Sequence, residues 1–135
     1  MTQAASPHLA LVIGGLVFAI AAILATLARP DARGNALLAG TLAAGFAGFS
    51  ALTIAREGLM LVIANHAANL WGVQVWWDLL FALGVAYVLI APRARAQGMN
   101  LTMWTLFILA TASIGLLAMC ARLFWLENRA ARAAA

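Results

Sequence analysis

A carboxylate set inside an apolar run is the first feature of this chain that calls for a chemical account. Asp78 lies in the run Trp76-Trp77-Asp78-Leu79-Leu80-Phe81, about one and a half helical turns inside a stretch that reads as a membrane span. An ionised carboxylate at the centre of a spanning helix costs roughly 2.5–3.5 kcal/mol on insertion scales, so such groups face the protein interior and pair. Gln74 stands one turn earlier on the same face. Arg122, at the end of the last apolar run, has a side chain long enough to snorkel toward Asp78. The expectation is a buried Asp78–Arg122 ion pair that locks two helices. Two alternatives stand beside it, a proton-carrying carboxylate and an anchor for a polar ligand group. A proton relay would need a second acid deep in another run, and Asp31, Glu57 and Glu127 all stand at run ends.

A second group of polar residues falls in the segment 57–72, EGLMLVIANHAANLWG. His66 there could ligate the metal of a tetrapyrrole, which also needs an open apolar face. The plainer reading of His66, between Asn65 and Asn69, is an interfacial hydrogen-bonding residue. Trp71, Trp76, Trp77, Trp104 and Trp125 stand near the ends of apolar runs, the positions of an aromatic belt at the headgroups. Beside that main reading, Trp77 and its neighbours next to Asp78 could also form an aromatic wall for a quinone, isoprenoid or pigment. Cys120, the one cysteine, lies deep in the last run and reads as a small buried hydrophobe. Neither metal-ligand spacing nor a phosphate loop occurs. A nucleophile with an acid–base pair cannot be assembled from these residues. The sequence therefore points away from an enzyme and calls for no cofactor beyond the low-ranking His66 tetrapyrrole.

The elements that must carry these residues follow from composition. Of the 135 residues, 66% are hydrophobic and 9% charged, against roughly 45–50% and 25% in soluble domains. Four apolar runs, about 9–28, 36–55, 73–91 and 101–121, each approach the length of about 20 residues that crosses a bilayer. The stretch 57–72 is too short to cross and reads as an interfacial helix or re-entrant segment. A short polar tail, 127–135, closes the chain. The fold class expected is an all-α integral membrane protein, a single domain of four spans in an up-down bundle. The first run follows a segment without Arg or Lys and exceeds the usual signal-peptide core, so it is expected to be a span.

All eight basic residues are arginine, giving a net charge of +4. They sit singly or in pairs at run ends, where arginine anchors helices at the headgroups, so nucleic acid is not an expected partner. Four crossings place both termini on one side with 56–72, together with Arg56, Arg122, Arg129 and Arg132. Arg29, Arg33, Arg93 and Arg95 stand opposite. The tie leaves the compact turns to decide, and they favour a bacterial inner membrane protein with its turns in the cytoplasm and both termini outside.

Small residues recur along the spans. Ala39, Ala43, Ala47 and Ala51 repeat every fourth residue, with Gly40, Ala44 and Gly48 alongside, Gly14 in the first run and Gly115 in the last. In lipid, helix association relies on close van der Waals contact, which small residues allow. These stripes either hold the bundle together or dock a neighbouring protein.

The run EGLMLVIAN, the run WWDLLFA, the turn RARAQGM and the final run ending at Arg122 resemble a bacterial family of small multi-pass membrane proteins catalogued as a domain of unknown function. The likeness covers Glu57 to Arg122 and implies a membrane topology with Asp78 as a marked residue, without implying a reaction. Two functions are expected. The first is a non-catalytic accessory subunit of a bioenergetic or photosynthetic membrane complex, with the lipid bilayer and other subunits or its own copies as partners. The second is a binding or transport protein with a pocket for an amphipathic ligand near Asp78.

Overall fold

A computed structural model describes residues 8–28 and 34–134, which form six helices and no strand. The chain divides into two units, Met1–Arg33 and Gly34–Ala135. The first holds α1 (Leu9–Ala28), whose apolar residues cover its circumference, the pattern of a helix buried in lipid. The second holds α2 (Ala36–Glu57), α3 (Leu61–Ala67), α4 (Leu70–Ala96), α5 (Leu101–Thr111) and α6 (Ser113–Ala133).

Asparagine starts three of these helices. Asn35, Asn69 and Asn100 have extended backbones, and their side-chain oxygens accept from Leu38, Gly72 and Met103 N–H at 3.0, 2.9 and 3.2 Å. Each satisfies a donor that the first helical turn leaves unpaired. The turn after α4 is a Schellman motif. Gly98 takes φ +69°, and Met99 N–H reaches Ala94 O at 3.0 Å while Gly98 N–H reaches Arg95 O at 3.0 Å. The Ala94 and Met99 side chains that this turn brings together are both buried, in one cluster with Ile108, Met119 and Leu123.

Helices α1, α2 and α4 are long and apolar enough to cross a membrane. At 1.5 Å per residue they measure about 30, 33 and 40 Å, against a hydrocarbon core of about 30 Å. Val88 and Leu89 of α4 are 68% and 69% exposed, as lipid-facing side chains would be. The segment 57–72 contains the short helix α3, as its sequence suggests.

The fourth apolar run departs from expectation, since it does not form one long helix. Ala112 takes φ +51°, ψ −119°, and the chain folds back so that α6 packs against α5. Thr111 contributes by bonding its hydroxyl back to Phe107 O at 2.7 Å, a contact that weakens and bends helices. Gly115 permits the close return. A Cβ there would lie 2.8 Å from Ile108 Cα. Hydropathy alone reads 101–121 as continuous because Thr, Ala, Ser and Gly at the bend carry no charge.

The reversal also moves the chain's end. Arg93 clamps Glu127 through two bonds, Nε to Oε1 at 2.9 Å and Nη2 to Oε2 at 2.7 Å. Asn128 Nδ2 donates to Gly34 O at 3.2 Å. The tail of α6 therefore lies beside the α4–α5 turn and the start of α2, not with residues 56–72 as four simple crossings require. In residues 34–134, α6 runs alongside α4 and antiparallel to α2 and α5.

The bend predicts a stabilising substitution. Alanine in this backbone region costs about 1–3 kcal/mol, and glycine removes most of that. Residue 112 lies between helices, so glycine incurs no helix-interior penalty there. Greater freedom in the unfolded chain offsets part of the gain. Ala112→Gly should raise stability by about 1 kcal/mol, read as a higher midpoint in thermal melts followed by circular dichroism. An unchanged or lower midpoint would count against this bend.

Candidate functional site

The short hairpin leaves space beside it. With 11 residues, α5 rises only about 16 Å before the chain turns back, whereas α2 and α4 continue further. Above the hairpin tip, between α2 and α4 and against α3, lies a cavity of about 870 Å³. Ligand pockets commonly measure about 300–1,000 Å³.

Its walls are mainly apolar. From α2 come Phe46 and Phe49, stacked with ring centroids 6.5 Å apart. From α4 come Trp76, Leu79, Leu83 and Gly84, and from α3 Leu61 and Val62. Residues 111–114 at the hairpin tip close one end. Ile108 belongs both to this lining and to the buried cluster below, so the cavity's inner end rests on the core.

Five of the polar residues on the lining share a pattern. Thr53 and Thr111 donate their hydroxyl protons to Phe49 O and Phe107 O at 2.9 and 2.7 Å. Thr105 donates to Leu101 O at 2.7 Å, so its oxygen accepts from the Tyr87 hydroxyl at 2.6 Å. The His66 ring lies 5.2 Å from that of Trp76, and its Nδ1 sits 2.5 Å from Val62 O. A carbonyl only accepts, so Nδ1 carries the proton and, in the neutral ring, Nε2 is a bare acceptor. In each case the donor is engaged by the protein and an acceptor lone pair remains. Glu57, at the end of α2, adds a carboxylate to the lining. Ser50, Ser113 and Asn65 also line it.

The residues singled out from sequence are distributed unevenly around this cavity. His66 and Asn65 line it. Asn69 instead caps α4. Gln74, Trp77 and Asp78 are exposed on α4 and lie outside the cavity lining. Trp77 packs edge-on against Phe81, with centroids 5.3 Å apart. Arg122 stacks 4.7 Å from the Trp125 ring, which Arg129 approaches at 5.5 Å. Asp78 and Arg122 are not brought together: the ion pair among the described residues is Arg93–Glu127. Since α6 is reversed, Arg122 approaches the Arg93 end of α4, whereas Asp78 sits in its first half. An exposed Asp78 beside Trp76 and Trp77 fits the level of an aromatic belt, where a carboxylate needs no buried partner.

The small-residue stripes divide in the same way. Ala39 and Ala43 are buried, Ala47 is half-buried, and a Cβ on Gly40 would lie 3.8 Å from that of Ala121. This face of α2 holds α6. Gly115 packs against α5. Ala44 and Gly48 are exposed, and Gly48 and Gly14 have open space where a Cβ would stand. Sequence reasoning missed Phe46, Phe49, Thr53, Tyr87 and Thr105. Tyr87 and Thr105 carried a usable signal, since hydroxyls within apolar helices need partners.

Among the described residues no group of His, Cys, Asp and Glu is placed to hold a metal ion. No family model, no curated protein and no solved structure matches the chain.

Proposed function

We propose that this chain is a small, non-catalytic, multi-pass membrane protein that binds an amphipathic ligand in the cavity between α2, α3, α4 and the α5–α6 hairpin. The observation that carries this reading is the cavity itself, about 870 Å³, apolar over most of its wall and with a few convergent polar groups. The space is an open groove, with Phe46, Phe49 and Leu80 44%, 50% and 47% exposed along it, so its apolar wall is accessible to an amphipathic chain. The ligand class is the one expected from sequence, a quinone, isoprenoid or pigment, but the cavity is lined by Trp76 and not by Asp78.

Gly84 supplies the test. It lines the cavity, and a Cβ added there meets nothing within 4 Å. Gly84→Phe adds a Cβ that meets no neighbour and a ring expected to occupy the space, and replacing a mid-helix glycine favours the helix by several tenths of a kcal/mol or about 1. The chain purified from native membranes in lipid nanodiscs should release a stoichiometric amphipathic molecule on solvent extraction. Gly84→Phe, melting no lower, should release it at less than a tenth of that amount. Equal extracts consisting of bulk lipid from both proteins would overturn the reading.

The orientation proposed puts the Arg93–Glu127 end in the cytoplasm. Arg93 and Arg95 end α4, and the Glu127 contact brings the α6 tail with Arg129 and Arg132 to the same end. Arg56 stands at the other end of α2. The positive-inside rule favours the arginine-rich end, and the C-terminus then lies inside rather than outside. Green fluorescent protein fused to the C-terminus should fluoresce. A dark fusion, paired with an active C-terminal alkaline phosphatase, would reverse the assignment.

The exposed Ala44 and Gly48 face of α2 supports a second reading, an accessory subunit that packs against another membrane protein. Native mass measurement in mild detergent separates the two, since a monomer carrying a small ligand and a heteromeric particle differ in mass.

A further inference from the structure

The hydrogen-bonding state of His66 restricts the group that meets it more than the cavity's size does. We infer that the ligand presents a hydrogen-bond donor, specifically the hydroxyl of a long-chain or prenyl alcohol or of a hydroquinone, to Nε2 of His66. The inference rests on the ligand-binding reading above and specifies the head group.

Thr53, Thr105, Thr111, Tyr87 and His66 all line the cavity, and each has its proton engaged by a protein acceptor. What these groups offer a guest is lone pairs. His66 is the strongest of them. Its Nδ1–H is fixed on Val62 O, which sets the tautomer, and the neutral ring then has one unprotonated nitrogen. The neighbouring Trp76 ring, 5.2 Å away, limits how the imidazole can tilt. Glu57, on the same lining, is an acceptor when ionised. A ketone, ester or ether head would set acceptor against acceptor at His66, and leaving such a group unpaired in an apolar site costs more than the bond itself would gain. A hydroxyl donates to Nε2 and keeps its own lone pairs for Ser50, Ser113 or Asn65, which retain donor capacity on the same lining.

The test uses the full chain in lipid nanodiscs, with histidines labelled by ¹⁵N. The sequence has two histidines, His8 and His66, and a His8→Gln background leaves a single imidazole. Geranylgeraniol and its methyl ether, which lacks the donor but keeps the chain, are the probes. The alcohol is expected to bind about tenfold more tightly than the ether, the scale of one hydrogen bond, and to shift the Nε2 resonance upfield. His66→Phe should abolish the difference by weakening the alcohol alone. His66→Gln, which keeps a side-chain acceptor, should recover part of it. Alcohol and ether binding equally to the wild-type chain, both excluded by Gly84→Phe, would overturn the head-group assignment while leaving the cavity as a ligand site. Binding of both probes that is indifferent to Gly84→Phe would overturn the ligand-binding reading and this inference with it.

Discussion

Gly115→Leu is expected to be among the most damaging single substitutions in the chain, lowering stability by more than about 3 kcal/mol. The Cβ alone would lie 2.8 Å from Ile108 Cα, 2.8 Å from Thr111 Oγ1 and 2.9 Å from Ile108 N. Two of these atoms are backbone, so no rotamer change relieves the clash and the helices must separate. Overpacking a core typically costs about 1–3 kcal/mol where neighbours can adjust, and here they cannot. The helix-propensity gain on losing glycine, about 1 kcal/mol at most, does not offset it. Gly115→Ala should fall between, and Gly48→Ala, where an added Cβ meets nothing within 4 Å, should be neutral or mildly stabilising. Thermal melts of the three variants in one nanodisc preparation should separate widely in that order. A Gly115→Leu midpoint within a few degrees of the wild type would refute the folded-back hairpin, and with it the origin of the cavity.

The same bend accounts for how the sequence could mislead. Hydropathy located α1, α2 and α4, because long apolar stretches flanked by arginine and proline or glycine have few other solutions in water or lipid. The short helix after α2 was legible from its length. Asn35, Asn69 and Asn100 could have been recognised as caps from their place before apolar periodic runs. Asn69 reads instead as part of a polar cluster, because a side chain that satisfies its own backbone looks, in sequence, like one available to a ligand. The expected partnership of Asp78 with Arg122 failed for a topological reason. It depended on counting crossings, and one residue with positive φ, Ala112, inverts the direction of everything after it. Arg93 and Glu127, 34 residues apart, were each visible as charges at run ends. Only the reversal pairs them. The cavity lies one level further from sequence, since it is a space left by the mismatch between an 11-residue helix and its 22- and 27-residue neighbours.

Leu123→Ala is expected to lower stability by about 2–5 kcal/mol and to weaken ligand binding although Leu123 does not touch the cavity. Leu123 is fully buried, at 0% exposure, among Ala94, Met99, Ile108 and Met119. Truncation removes the contacts of three carbon atoms and leaves a hole too small to be refilled by lipid. Met99 and Met119 are unbranched and can partly move into it, which places the loss toward the lower half of that range. Leu89, 69% exposed on α4, is the control, because Leu89→Ala removes few contacts within the protein and should shift the midpoint little. The effect on binding follows from Ile108, which packs against the Leu123 cluster on one side and lines the cavity on the other. Loosening the cluster lets the hairpin tip drift, and the cavity floor at residues 111–114 moves with it. Leu123→Ala should therefore melt earlier and retain less ligand even well below its melting temperature, while Leu89→Ala keeps both properties. If Leu123→Ala lost several kcal/mol yet held its ligand with wild-type affinity, the core and the cavity would be energetically separate, and the hairpin tip could not be what shapes the site.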